Sequence, residues 1–303
     1  MREVHILAYF YQMLKIGLIG NVGPMVSHIQ QLKNIRDVQV IGKSSVGMME
    51  EPESRFLSIP EFNRRELVEA ADVLIVDKSQ MLIPDLLIWA VKSSKHLYIS
   101  DYPDIVTESC GELLKLAEEA RTVIHIRNSL RTESLTGWLI LNWQEPAYIS
   151  IFESMTELPE KRTFLLKHLF FAYSLFNAYP QKIRVSGMHQ SDTGFYFINI
   201  RLDYSTFSAY NLEMLIQPPG ERNMKAVMPG KFLEGDLRSG KAFLNQREMV
   251  IHTPQSNSLA DFLKDYGKED FFLASNLDQY HAALDTLTDV LKKIELFTPW
   301  HSS

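Results

Sequence analysis

The stretch "LKIGLIGNVGPMVSH", residues 14–28, decides how the rest of the chain is read. "KIGLIG" (15–20) is a short apolar run of strand type closed by a glycine, and "VSHIQQLKNI" (26–35) has helical spacing. A turn that joins such elements around a dinucleotide needs small residues for three reasons. The first lets the chain bend sharply, the second lets backbone amides touch a diphosphate, and the third lets helix pack on strand. Gly20 fills the first place. Val22 stands in the second, with Gly23 directly after it, and Met25 in the third. Pro24 suits the first turn of a helix, where its missing N–H costs nothing. The helix start can therefore still attract a phosphate, which makes Gly20, Asn21, Val22 and Gly23 the candidate diphosphate-binding residues.

Working outward, "VQVIG" (38–42), "DVLIVD" (72–77), "HLYIS" (96–100) and "TVIHI" (122–126) read as further buried strands. They alternate with helical stretches: "RRELVEAA" (64–71), "PDLLIWAVKSS" (84–94) and "ESCGELLKLAEEAR" (108–121). Strand–helix alternation with near-continuous apolar strands implies an α/β, Rossmann-like, doubly wound parallel sheet over residues 13–127. Its second strand ends "VIGKSS", with no acid at the place where a ribose-binding carboxylate is expected. Lys43, with Ser44 and Ser45, suits a 2′-phosphate instead, so the cofactor expected is NADP or NAD, with these residues favouring NADP.

After residue 128 the pattern changes. A helix over roughly 131–142 precedes "AYISIFES" (147–154), a strand, and "EKRTFLLKHLFFAYSLFNAY" (160–179), a helix apolar on nearly every side and so buried. From 182 to 252, β-rich runs separated by Gly and Pro turns imply an open, mainly antiparallel sheet with one wet or partnered face. An amphipathic helix over 276–296 closes the chain, with Ser275 and Asp278 placed for a capping box. Residues 128–303 thus read as an α+β substrate and oligomerisation domain, and residues 1–12 as an N-terminal extension.

The 303 residues carry a net charge of −6, which argues against nucleic acid or an acidic membrane as the main partner. No stretch approaches the roughly 20 apolar residues of a membrane helix. The single cysteine, Cys110, fits a reducing, cytoplasmic compartment and excludes an internal disulfide or a cysteine-based zinc site. The nine histidines are dispersed, so no metal site is expected. Neither a nucleophile elbow nor a P-loop is present. The aromatic "FYFINIRLDY" (195–204) reads as sheet core rather than a stacking platform.

Taken in order, several segments resemble the glucose–fructose oxidoreductase / inositol dehydrogenase / MocA (Gfo/Idh/MocA) family over nearly all the chain from residue 13. They are "MLKIGLIG" followed by His28, "ADVLIVDKSQ", "KHLYISDYPDIVTESCGELLKLAEEAR", "RNSLRTESL", "LLKHLFFAYSLFNAYPQKIRVSG" and "NLDQYHAALDTLTDVLKKIE". The resemblance implies a lysine in a Glu-Lys-Pro motif that touches cofactor and substrate, and a carboxylate and a histidine on the second-domain helix. Here the motif becomes Asp101, Tyr102 and Pro103. His168 falls on the family's histidine, while Phe164 and Phe171 occupy the carboxylate positions.

Oxidising a hydroxyl requires a group that accepts its proton. The candidates are His168, by its intrinsic pKa, and Tyr102 with Lys78 as a neighbouring cation. Asp101 and Pro103 join the cofactor-binding set, and Arg131 is the candidate for an acidic substrate group. The function expected is an NAD(P)-dependent oxidoreductase acting on a sugar, polyol or related hydroxy compound. The alternative is a catalytically degenerate relative that binds a small molecule or a protein. Relatives of this fold often pair through the open sheet, so a homo-oligomer is expected.

Overall fold

The computed structural model describes residues 13–47, 54–157, 159–190, 195–205, 207–217, 220–251, 258–264, 266, 268 and 271–296; the expected N-terminal extension lies outside them. The chain divides into two units. The first holds residues up to Asp104, Glu112–Arg127 and Leu259–Ser275; the second holds Ile105–Gly111, Asn128–Ser258 and the chain from Asn276 onward.

In the first unit, β1 (Leu14–Asn21), β2 (Val38–Val46), β3 (Val73–Val76), β4 (His96–Ile99) and β5 (Ile124–Ile126) form a parallel sheet in the order β2-β1-β3-β4-β5. The order reverses beside β1, so the carboxyl ends of β1 and β3 form the switch point where such sheets bind ligands. The helices are α1 (Val22–Leu32), α2 (Ser54–Ser58), α3 (Arg64–Ala70), α4 (Pro84–Lys92) and α5 (Thr107–Ala120). The helix α1 begins at Val22, four residues before its apolar spacing becomes legible, because Pro24 fits a first helical turn. Its inward face carries Val22 and Met25 into a core with Ile16, Leu18, Val73, Ile75 and Tyr98. The two large residues in the glycine turn therefore lie beneath the helix. Gly20 is irreplaceable for another reason. Its φ is +149°, and a Cβ there would stand 2.7 Å from the Cβ of Asp77.

The second unit opens with a 3-10 turn, Leu130–Thr132, followed by α6 (Ser134–Leu141). The single helix expected over 131–142 is broken at Glu133, whose backbone is extended, and Thr136 donates its hydroxyl to the carbonyls of Leu130 and Glu133 across the break. The strand β6 (Tyr148–Met155) leads to α7 (Lys161–Phe176), whose N-cap Glu160 accepts from the amides of Arg162 and Thr163. The remaining strands are β7 (Lys182–Gln190), β8 (Phe195–Asp203), β9 (Ala209–Ile216), β10 (Arg222–Met228), β11 (Lys231–Asp236), β12 (Ala242–Leu244) and β13 (Arg247–Met249). With β6 they make an eight-stranded sheet, β13-β12-β11-β10-β6-β9-β8-β7, antiparallel except where β6 meets β9.

One face of this sheet is core: Ile149 and Ile151, Ile198 and Ile200, Tyr210 and Leu212, Met224 and Ala226 are all buried. The other face carries half-buried Tyr148, Phe152 and Phe197 beside a polar chain in which Asn199 donates to Asn211 and Asn211 to Ser150, at 2.9 and 3.3 Å.

The segment after the sheet departs from the expected domain plan. In α8 (Ser258–Lys264) and beyond, Leu259, Phe262, Leu263 and Phe271 join the core of the parallel sheet. Phe271 packs edge-on against His96 at 5.1 Å and Phe262 tilts against Tyr98 at 5.6 Å. Their aromatic area draws residues 259–275 back to the first unit. This also removes the expected capping box: the Ser275 hydroxyl donates to the Ile124 carbonyl, and α9 (Leu277–Glu295) starts from Asn276 without a side-chain cap. In the second unit α9 packs on α7, with the Tyr173 and Thr286 hydroxyls 2.8 Å apart. Among the described residues, no helix is long and apolar enough to cross a membrane and no cluster of metal-ligating side chains occurs.

Candidate functional site

Two constellations carry chemistry, one in each unit. The first lies at the carboxyl ends of the parallel strands. Where β1 runs straight into α1, Asn21, Gly23 and Pro24 are exposed, and α1 has neither a side-chain cap nor an acidic residue in its first turn. A Cβ on Gly23 would meet nothing within 4 Å. The turn therefore offers bare helix-terminal amides to an anion, and the residues present fit the diphosphate of a dinucleotide. Behind it, His28 on α1 is buried; its Nε2 is 3.1 Å from the Ser100 hydroxyl after β4 and 3.8 Å from the Asp77 carboxylate after β3. These contacts pin the helix to the strand ends.

The end of β2 differs from expectation. Lys43 is buried, and its ammonium donates to the carbonyls of Phe56 and Ile59 and lies over the Phe56 ring. Ser44 is buried too. Neither is placed as a receptor for a 2′-phosphate, because folding has committed the lysine to backbone acceptors. A carboxylate stands there instead. Glu61 bridges to the end of β2, accepts from the Ser45 amide and hydroxyl, lies 3.6 Å from the Lys43 ammonium, and leaves its side chain 51% exposed. An acid at the end of the second strand is what ribose hydroxyls require.

Asp101, after β4, accepts from the Ser79 amide and hydroxyl, which ties it to the 3-10 turn Ser79–Met81 after β3. Burial pushes its carboxyl above the usual range, against the lowering effect of the Ser79 bonds. Its carboxylate thus organises the loop. Tyr102 is half-buried, Pro103 buried, and Lys78 precedes the 3-10 turn.

The second constellation lies around α7. His168 is completely buried, with Nδ1 2.9 Å from the Tyr210 hydroxyl on β9 and Nε2 3.3 Å from Glu153 on β6. Burial, then the neighbouring Lys167, brings its pKa down to about 4. A sealed imidazole does not reach a substrate, so His168 does not stand as the proton acceptor that the sequence made it a candidate for. Around it a charged cluster assembles. Glu153 is 3% exposed at the side chain and receives the Lys167 ammonium at 3.1 Å on each oxygen. It also receives Arg222 of β10 at 3.2 Å, and Arg222 reaches Glu133 at 2.9 Å. Burial opposes the Glu153 charge, yet His168, Lys167 and Arg222 hold its carboxyl well below the usual range. Lys167 is lowered, by burial first and by Arg222 as well.

Phe164 and Phe171 are core residues, the former with the Lys167 ammonium 5.1 Å above its ring. Arg131 occupies the 3-10 turn Leu130–Thr132; burial lowers its pKa, and among the described residues its guanidinium has no ion-pair partner.

Sequence reasoning missed Glu61, Glu153, Lys167, Arg222 and Glu133. For Glu153 a signal existed: it shares the inward face of β6 with Ile149 and Ile151, and an acid on an apolar face demands partners. Glu61 gave none, since its place depends on a bridge to Lys43.

The arrangement of a parallel sheet with its switch point and an open eight-stranded sheet recurs in solved structures. UDP-N-acetylglucosamine 3-dehydrogenase of Acidithiobacillus ferrooxidans superposes with a TM-score of 0.74 at 16% identity, over 94% of this chain and 98% of that one. The chain has the fold of the Gfo/Idh/MocA oxidoreductases. An oxidoreductase of that family from Vibrio cholerae gives 0.72 at 13% identity over 93% and 99% of the two chains. Biliverdin reductase of Synechocystis, solved with biliverdin and NADP+, gives 0.69 at 13% identity over 94% and 99%. No family profile and no curated protein matches the sequence.

Proposed function

We propose that this chain is a distant Gfo/Idh/MocA member that binds NAD and oxidises or reduces a sugar, polyol or related hydroxy compound. The observation that carries the reading is the first turn of α1: Gly23 is open, the helix is uncapped, and Val22 and Met25 are turned into the core. Residues Gly20–Gly23 would hold the diphosphate, and Ser45 with Glu61 the ribose hydroxyls. The bound dinucleotide would supply the hydride acceptor or donor. Glu61 speaks for NAD over NADP, because its carboxylate would face the 2′-phosphate at short range, and Lys43 is already engaged. Arg131 is the candidate for an acidic group on the substrate.

A thermal-shift series with NAD, NADH, NADP and NADPH tests the reading. A ligand at about 100 times its Kd adds about 2.7 kcal/mol, a shift of several degrees. Shifts with NAD or NADH larger than with their phosphorylated forms are expected, and Glu61→Gln should narrow that gap by about tenfold in Kd. No shift with any of the four would overturn it.

The sealed position of His168 favours a second reading, a binder without turnover; a dinucleotide shift with no turnover on any sugar or polyol would select it. We also expect a cytoplasmic homo-oligomer. The half-buried aromatics Tyr148, Phe152 and Phe197 on the open sheet face speak for a second copy covering it. Light scattering reading a monomer would remove that part.

A further inference from the structure

We propose, on the dinucleotide-binding reading above, that the Lys78 ammonium is the charged contact of the diphosphate at the first turn of α1. Every group involved belongs to the first unit. The end of α1 contributes only about half a positive charge, whereas a diphosphate is charged at each phosphate. The rim around it is itself acidic. Asp77, with a side chain 13% exposed, faces His28 at 3.8 Å, and Asp101 accepts from the Ser79 amide and hydroxyl. Amides alone would set a dianion beside two acidic side chains, and a cation is needed to offset them.

The backbone brings Lys78 to that place. The parallel pairing of Ile19 with Val76 continues past the strand ends, where the Asp77 amide donates to the Ile19 carbonyl at 2.8 Å. A Cβ on Gly20 would stand 3.1 Å from the Lys78 nitrogen, so the main chain of the lysine abuts the turn. The chain is pinned on the other side as well: the Lys78 carbonyl accepts from the Met81 amide at 3.0 Å, and the Ser79 amide donates to Asp101. The Lys78 side chain is half-buried and caps nothing, and among the described residues its ammonium has no hydrogen-bond or ion-pair partner. Neighbouring strands lie about 4.8 Å apart, which a flexible four-carbon stem spans, so the ammonium can reach an anion over Gly20–Gly23.

Other cations toward these strand ends are placed differently. Lys43 donates to the carbonyls of Phe56 and Ile59, and Arg64 to the Met81 carbonyl at 3.1 Å. Arg65 lies over the Trp89 ring, and Arg127 follows β5, three strands from β1.

Calorimetric titration of the full-length protein with NAD, ADP-ribose and inorganic pyrophosphate, at low and at high salt, tests the assignment without any turnover. Lys78→Gln should weaken NAD and ADP-ribose alike, at least tenfold, since both carry the diphosphate. It should also flatten the fall of affinity with added salt, because the contact removed is the screened one. Lys78→Arg should retain both affinities, and the urea midpoints of the two variants should match the parent, since the side chain holds no other group in place. Unchanged affinities in Lys78→Gln overturn the proposal. So does a loss confined to NAD, which would move the ammonium to the nicotinamide end, or an equal loss in Lys78→Arg, which would show that charge is not what counts. A parent that binds pyrophosphate through Lys78 but no dinucleotide keeps the anion contact and overturns the oxidoreductase reading. A parent that binds neither overturns both.

Discussion

In the parallel sheet, Val73–Val76 and Leu97–Ile99 are buried without a charge among them, and the polar groups stand where the strands end: Asp77, Ser79, Ser100 and Asp101. In the second sheet, Glu153, Lys167, His168 and Arg222 meet inside, between the inward face of β6 and the helix α7. The first arrangement satisfies polar groups with backbone amides and hydroxyls at the rim. The second relies on opposite charges that must all be present, because a buried ion is tolerable only with its partners. The parallel unit should therefore tolerate change at its polar rim, and the second should not tolerate change at its centre.

The largest effect follows directly. Glu153→Ala leaves Lys167 and Arg222 without the anion that joins them, and breaking such a pair costs about 3–5 kcal/mol. Urea unfolding should show a fall of that size, against a few tenths for the exposed pair of Lys225 and Glu234. Equal effects at the two sites would erase the contrast between a charged interior and a solvated one.

In the first unit the corresponding test is apolar. If Met25 obstructed the diphosphate, Met25→Ala would tighten dinucleotide binding. Its place beside Ile16, Val73 and Tyr98 predicts instead a loss of about 2–5 kcal/mol in stability, with no gain in affinity. Calorimetry of the variant separates these outcomes.

The same contrast sets what the sequence could disclose. The strands β3 and β4 were the most legible, because each is a run of apolar residues buried on both faces. The large residues Val22 and Met25 in places that favour small ones are accommodated because both side chains point into the core. The glycine turn itself was legible, because a bend and a helix start are local requirements. Glu61 was not legible: it is far from β2 in sequence and reaches Ser45 through a bridge that no local pattern records. Lys43 misled for the same reason, since its acceptors at Phe56 and Ile59 lie in a loop whose path is set by packing. In the second unit the helix and strands could be read, yet the cluster could not, because its members come from three elements that meet only in the folded sheet. Likewise residues 259–275 follow the second sheet in sequence and pack on the first, drawn by Phe262 and Phe271.

A smaller effect distinguishes the units through pH. His168 and His96 both have pKa values lowered chiefly by burial, the former to about 4. In the unfolded chain each would take a proton near pH 6.5, which the folded chain refuses. Stability is therefore full above about pH 6.5 and falls as the pH drops from there toward 4, by about 1–3 kcal/mol for the wholly buried His168. Below that, the depressed Glu153 carboxylate adds a further loss. Urea midpoints at pH 7.5, 6 and 5 should decline in order, and His168→Gln should flatten the slope. A profile unchanged by that substitution would move the acid sensitivity to His96 and the first unit.

The smallest expected effect on stability is at the turn where the chain was first read. A Cβ at Gly23 would meet nothing within 4 Å, so Gly23→Ala should leave the unfolding free energy within about 0.5 kcal/mol of the parent. If a diphosphate lies against these amides, the added methyl occupies its space, and NAD affinity should fall by at least tenfold, about 1.4 kcal/mol. The two readouts point in different directions only if open space at Gly23 is space for a ligand. A Gly23→Ala protein that keeps both its stability and its NAD affinity would show that the uncapped end of α1 is a surface like any other, and the charged interior of the second unit would then be the one place left where chemistry is concentrated.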